Sequence, residues 1–162
     1  MTATRAAGEA TPLRNMPARD VWAVCFSISP RNEDGPVPVQ DAMRVSEMRR
    51  LVRARLEYCC LSALADDVTL LVSELVTNAI EHNHGRTDIA LSLTLVDGRL
   101  HLEVQDGTSQ PPKVQRPSED AETGRGLLIV QAVTEARSGR WGSSPDGERT
   151  WCTIPVATGS EQ

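Results

Sequence analysis

Residues 71–82 read Leu-Val-Ser-Glu-Leu-Val-Thr-Asn-Ala-Ile-Glu-His, and their periodicity leaves the chain little freedom in how it can fold. Val68, Leu71, Val72, Leu75, Val76, Ala79 and Ile80 recur at steps of three and four, which predicts one helix with a continuous apolar stripe. Asp66 or Asp67 is the candidate N-cap, and the pattern runs to about Asn83. A stripe of that length must be buried against a sheet or other helices. On the polar edge Glu74, Asn78 and His82 fall at i, i+4 and i+8 and so line one side of the helix. Taken alone, such an edge is the solvent face of an ordinary amphipathic helix. Thr77 and Asn78 are indifferent helix formers, however, and both sit in its middle.

The flanking segments supply a sheet to cover that stripe. Val21–Ser29 reads as a first strand, and the Pro- and Gly-bearing stretch 30–38 as a loop. A helix is predicted over Gln40–Cys59, with Val45, Met48, Val52, Leu56 and Cys59 on its buried side. Arg44, Arg49, Arg50, Arg53 and Arg55 occupy its other faces, either as a solvated surface or as a docking face for an acidic partner. Thr87–Val96 and Arg99–Gln105 are strands joined by Asp97-Gly98, a strong hairpin signal. Residues 107–123 carry Pro111, Pro112 and Pro117 without periodicity; a loop that long in a compact domain is usually functional or disordered. A short helix over Gly126–Ala136 and two strands, Arg137–Gly142 and Arg149–Val156, complete the pattern.

This order predicts an α+β protein, a two-layer α/β sandwich with a mixed, mainly antiparallel sheet covered on one face by helices. A single domain is expected over residues 20–157, between a disordered N-terminal tail at 1–19 and a C-terminal tail at 158–162. A formal net charge of −5 argues against direct nucleic-acid binding. No apolar run approaches a signal peptide or a membrane span, so a soluble, cytoplasmic protein with no membrane partner is expected. Cys25, Cys59, Cys60 and Cys152 form no C-x-x-C pair and read as reduced thiols.

Three further features bear on chemistry. Asp106 ends the strand Leu100-Leu102-Val104, in the sequence Val-Gln-Asp-Gly; an Asp before Gly is most often a turn residue. Gly124-Arg125-Gly126 followed by Leu127-Leu128-Ile129-Val130 offers main-chain N–H groups at a helix start, where phosphates bind readily. No G-x-x-x-x-G-K-[ST] and no glycine fingerprint in a parallel βαβ unit occurs, which disfavours both of those nucleotide folds. The three histidines are too few for a convincing zinc cluster, and no serine has a His/Asp framework for a hydrolase triad.

Together Glu-Leu-Val-Thr-Asn-Ala-Ile-Glu-His, Val-Gln-Asp-Gly and Gly-Arg-Gly-Leu-Leu-Ile-Val resemble the N box and the two glycine boxes of the ATPase superfamily of gyrase, heat-shock chaperones, histidine kinases and MutL. Within it the chain is most similar, over about residues 40–156, to small bacterial, actinobacterial-type anti-sigma factors with serine-protein kinase activity. The resemblance implies the Bergerat ATP-binding fold, with ATP and Mg²⁺ as ligands. It implies that Glu74 is the general base, Asn78 the Mg²⁺ ligand, and Asp106 the adenine reader, aided through water by Thr150. Gly124 and Gly126 match the phosphate turn, and residues 107–123 the lid. His82, Gly107, Arg125 and Leu127 complete the implied nucleotide-binding set. It further implies a homodimer whose partners are a sigma factor and an anti-anti-sigma protein bearing the acceptor serine.

The match departs from the family's D-x-G-x-G pattern, because Asp106 is followed by Gly107, Thr108, Ser109 and Gln110, and Thr108 stands where its first glycine is expected. A looser site is therefore expected, weakening ATP by roughly 5- to 150-fold for a loss of ~1–3 kcal/mol. The alternative this opens is a non-catalytic partner-binding module with a degenerate ATP site.

Overall fold

The computed structural model describes residues 19–108 and 125–156. The expected tails at 1–19 and 158–162 and most of the expected lid lie outside the described residues, apart from Arg19, which already belongs to the first strand. The elements are β1 (Arg19–Phe26), α1 (Val39–Tyr58), a short 3₁₀ turn (Ser62–Leu64), α2 (Ala65–Asn83), β2 (Ile89–Val96), β3 (Arg99–Gln105), α3 (Gly126–Ala136), β4 (Arg140–Ser143) and β5 (Arg149–Pro155).

The strands form one five-stranded sheet in the order β1-β2-β3-β5-β4. Every pairing in it is antiparallel, the extreme of the mainly antiparallel expectation. Alternation along β2 and β3 sends Ile89, Leu91, Leu93, Leu95, Leu100, Leu102 and Val104 to one buried face. The helices cover that face, with α2 in the middle of the layer between α1 and α3. The predicted stripe of α2 is fully buried there, as are Met48, Val52 and Leu56 of α1. Each such side chain contributes on the order of 1.5–3 kcal/mol by leaving water. Asp97 and Gly98 both take positive φ, 49° and 72°, as a tight two-residue hairpin requires.

Three local expectations are corrected. Neither Asp66 nor Asp67 caps α2: the helix begins earlier, after Leu64, and both carboxylates lie in its first turn. Asp66 instead pairs with Arg53 of α1, and Asp67 with Arg137 at the end of α3. The strand expected from Arg137 starts only at Arg140, because Arg137–Gly139 close α3: the Gly139 N–H donates to the Thr134 carbonyl, and Ser138 takes φ 54°. The first strand ends at Phe26 rather than Ser29, since the Ser29 N–H turns to the buried Asp41 carboxylate at 3.1 Å.

The loop between β1 and α1 is fastened to the far end of α2. Arg31 Nη2 donates to the Ile80 and Glu81 carbonyls at 2.9 and 2.8 Å, taking up acceptors the helix leaves unpaired. His84 ends the helix in the left-handed region, and Gly85 follows at φ 76°, with Pro30 and the Ser29 carbonyl packed where a side chain would go.

Candidate functional site

The polar edge of α2 faces two chain segments at once. At its middle, Glu74 lies over the first residue of α3. Gly126 has no side chain, and a methyl group there would stand 2.6 Å from Glu74 Oε2. The carboxylate is therefore held against a helix start, where main-chain N–H groups are unpaired and negative charge is favoured. Among the described residues Glu74 makes no side-chain hydrogen bond or ion pair, and neither does Asn78 one turn on; both are half-buried. Burial, and then the like charge of Glu81, raise the Glu74 pKa above its ordinary 4.5.

At the far end of the same helix Asn83 reaches β3. It is fully buried, and its Nδ2 donates to the Asp106 carbonyl at 2.6 Å and to Thr87 Oγ1 at 2.9 Å. Thr87 Oγ1 donates in turn to the same carbonyl at 2.7 Å. Gly107, at φ 67°, lets the chain turn closely past Thr87, whose Oγ1 would meet an added side chain at 2.5 Å. Asp106 also continues the sheet, its N–H donating to the Glu148 carbonyl at 3.0 Å.

Burial raises the Asp106 pKa above its ordinary 3.8, opposed by donors from Thr108 and by the nearby charge of His82. The Thr108 N–H and hydroxyl both donate to Asp106 Oδ1, at 2.9 and 2.8 Å. Thr108 is thus tied to the carboxylate. Thr150 is buried in β5, opposite Val104 and hence close to the strand end that carries Asp106. His82 is exposed on the α2 edge between Asn78 and Asn83.

The expected second glycine turn is seen in part. Gly124 lies outside the described residues; Arg125 is the exposed N-cap of α3, and Gly126 its first residue. The Leu127 side chain is buried in the core, so only its main chain is free to serve a ligand. Two residues of the arrangement, Asn83 and Thr87, carry no motif that marks them as site residues. The signal was available: Asn83 falls in phase with Val76, Ala79 and Ile80, and an amide on a buried stripe needs partners.

These residues suit a nucleotide better than a caged metal. Among the described residues no three His, Cys, Asp or Glu side chains converge on a metal position. A single amide such as Asn78, with phosphate oxygens and water, is the sparse donor set Mg²⁺ accepts. A helix start for phosphate with a free carboxylate against it, and a half-buried carboxylate for a base edge, fit a nucleoside triphosphate.

No curated protein matches the chain. The family pattern of the histidine kinase-like ATPase domain matches residues 38–154. That span takes in α1 to β5 and every site residue named above, and the chain belongs to the histidine kinase-like ATPase domain family.

Proposed function

We propose that this ATP-binding domain is a protein serine/threonine kinase of the anti-sigma type, phosphorylating an anti-anti-sigma protein and sequestering a sigma factor. The observation that carries this reading is the Glu74 carboxylate, unpaired among the described residues and seated against Gly126 at the start of α3. A base in that place serves transfer to a hydroxyl; binding alone has no need of it. The acceptor hydroxyl gives its proton to Glu74 while its oxygen bonds to the γ-phosphorus. The bond from that phosphorus to the bridging oxygen breaks, and ADP departs. Asn78 is the residue that would hold Mg²⁺, which supplies neutralisation of phosphate charge when bound. Asp106, Thr150 and His82 would serve the adenine end, with Gly107, Arg125, Gly126 and the Leu127 main chain around the nucleotide.

The outer face of α1 supports the partner assignment. Met43, Leu51 and Tyr58 are 65%, 42% and 79% exposed there. Arg49 and Arg50 share that helix's solvent side, and with Ser46, Arg53 and Thr69 they line a hollow of about 260 Å³. Apolar side chains interleaved with arginines suit an acidic protein partner or a second copy of the chain. Arg55 is otherwise engaged, donating to the Val21 carbonyl and lying over the Tyr58 ring.

Purified protein with Mg²⁺ and γ-labelled ATP is expected to label a cognate anti-anti-sigma protein, and Glu74→Gln to slow transfer by at least about 100-fold. Since the Glu74 pKa is raised and only the ionised form accepts a proton, transfer falls on acidification sooner than an ordinary glutamate would dictate. Glu81→Gln removes the like charge and moves that acid limb to lower pH. ATP binding with no transfer to any acceptor would favour the non-catalytic partner-binding module instead.

A further inference from the structure

The groove between α1 and α2 holds a cluster of cations that the nucleotide site does not use. Ser46, Arg49, Arg50 and Arg53 fall at i, i+3, i+4 and i+7 on one face of α1, and with Thr69 of α2 they line the hollow of about 260 Å³. Arg53 is fixed in place: its Nη2 donates to Asp66 Oδ1 at 2.8 Å and to Thr69 Oγ1 at 3.4 Å, while its Nε and Nη1 have no partner among the described residues. Arg49 and Arg50 are exposed and make no ion pair or side-chain hydrogen bond among the described residues. In a chain of net charge −5, one carboxylate, Asp66, thus answers three guanidiniums. Like charges at helical spacing destabilise a helix, so α1 carries a repulsion here that a bound anion would relieve.

The lining indicates which anion. Each guanidinium carries five N–H donors in a planar fork that matches pairs of anionic oxygens. A carboxylate has two oxygens and a single charge; a phosphate has more of both and can engage several forks at once. Ser46 adds a hydroxyl donor. Among the described residues no aromatic or aliphatic side chain lines the hollow, so nothing in it would stack on a nucleobase or cover a lipid chain. Its volume lies below the roughly 300–1,000 Å³ of small-molecule pockets, which suits an anion alone rather than a whole cofactor. The hollow opens on the α1 side of α2, whereas Glu74 lies against Gly126 of α3.

We propose that this hollow is a phosphate-anion site, separate from the nucleotide site, which takes inorganic phosphate or a short inorganic polyphosphate. Arg49 and Arg50 supply the charge, Arg53 a fork held in position by Asp66 and Thr69, and Ser46 a hydroxyl. The hollow lies within the α1 face assigned above to an acidic partner, so a bound anion and that partner compete. The site does not depend on the ATP reading.

The test is calorimetric titration of the full chain with inorganic tripolyphosphate in metal-free buffer, at an ionic strength held constant with chloride. Wild type is compared with Arg49→Gln/Arg50→Gln, with Ser46→Glu, and with a charge control, Arg140→Gln/Arg149→Gln, at two exposed residues of the sheet. Circular dichroism verifies folding. Wild type is expected to bind about one equivalent. Arg49→Gln/Arg50→Gln should weaken binding roughly tenfold or more, and Ser46→Glu likewise by placing a carboxylate in the hollow, while the control changes it less than about threefold. Mg²⁺-ATP affinity, measured separately, should be the same in wild type and Arg49→Gln/Arg50→Gln. No binding to wild type overturns the proposal, and so does an equal loss in the control, which would report net charge alone. Binding that neither hollow variant alters places the anion elsewhere and overturns it too. A parallel loss of ATP affinity overturns the separation of the two sites. A polyglutamate peptide that binds where tripolyphosphate does not overturns the proposal in favour of an acidic protein segment.

Discussion

At the scale of single residues the site depends on an absence. Gly126 begins α3, where an alanine would help the helix, by about 0.5–1 kcal/mol relative to glycine in a helix interior. A methyl group there would nevertheless stand 2.6 Å from Glu74 Oε2, the movable end of a side chain rather than backbone. Gly126→Ala should thus leave thermal stability unchanged or slightly raised while displacing the proposed base and lowering phosphoryl transfer at least about tenfold. Melting curves measured beside transfer rates check this. Loss of both stability and rate would mean that Gly126 serves packing alone.

At the scale of elements, α2 works as a bridge whose two ends are tied to different parts of the fold. Near its start Asp67 pairs with Arg137, which holds α3 and with it Gly126 beneath Glu74. At its end Asn83 joins the Asp106 carbonyl, so the strand that offers Asp106 moves with the helix that offers Asn78. Asn83→Ala removes a fully buried donor and is expected to cost about 1–3 kcal/mol in urea melts. Because the Asp106 mount loosens, ATP affinity should fall as well. A Thr87→Ala partner in a double-mutant cycle should prove strongly non-additive, both side chains serving one carbonyl. Additive effects would contradict the shared network.

At the scale of the whole molecule, the helix layer and the sheet contribute to the site from both sides, and nucleotide binding should therefore stabilise the fold. At ATP one hundred times the Kd, the gain is about 2.7 kcal/mol, or roughly 5–10 °C in Tm for a domain of this size. Asp106→Asn should remove most of that increment; an equal rise in wild type and variant would place the nucleotide elsewhere. The sequence by itself determined the elements and their faces, because 3.6-residue and two-residue periodicities of apolar side chains are local properties of the chain. It also marked Glu74, Asn78, Asp106 and Gly126, whose spacing within each motif is visible in one dimension. It misplaced the cap of α2 and the start of β4, where Asp67 and Arg137, seventy positions apart, pair across two helices. Only the tertiary structure decided that Asn83 and Thr87 fasten the Asp106 carbonyl and that both Thr108 donors meet one of its carboxylate oxygens. Those choices turn on which buried donors find which acceptors, and no periodicity encodes that: it is settled only when the end of α2 meets the end of β3.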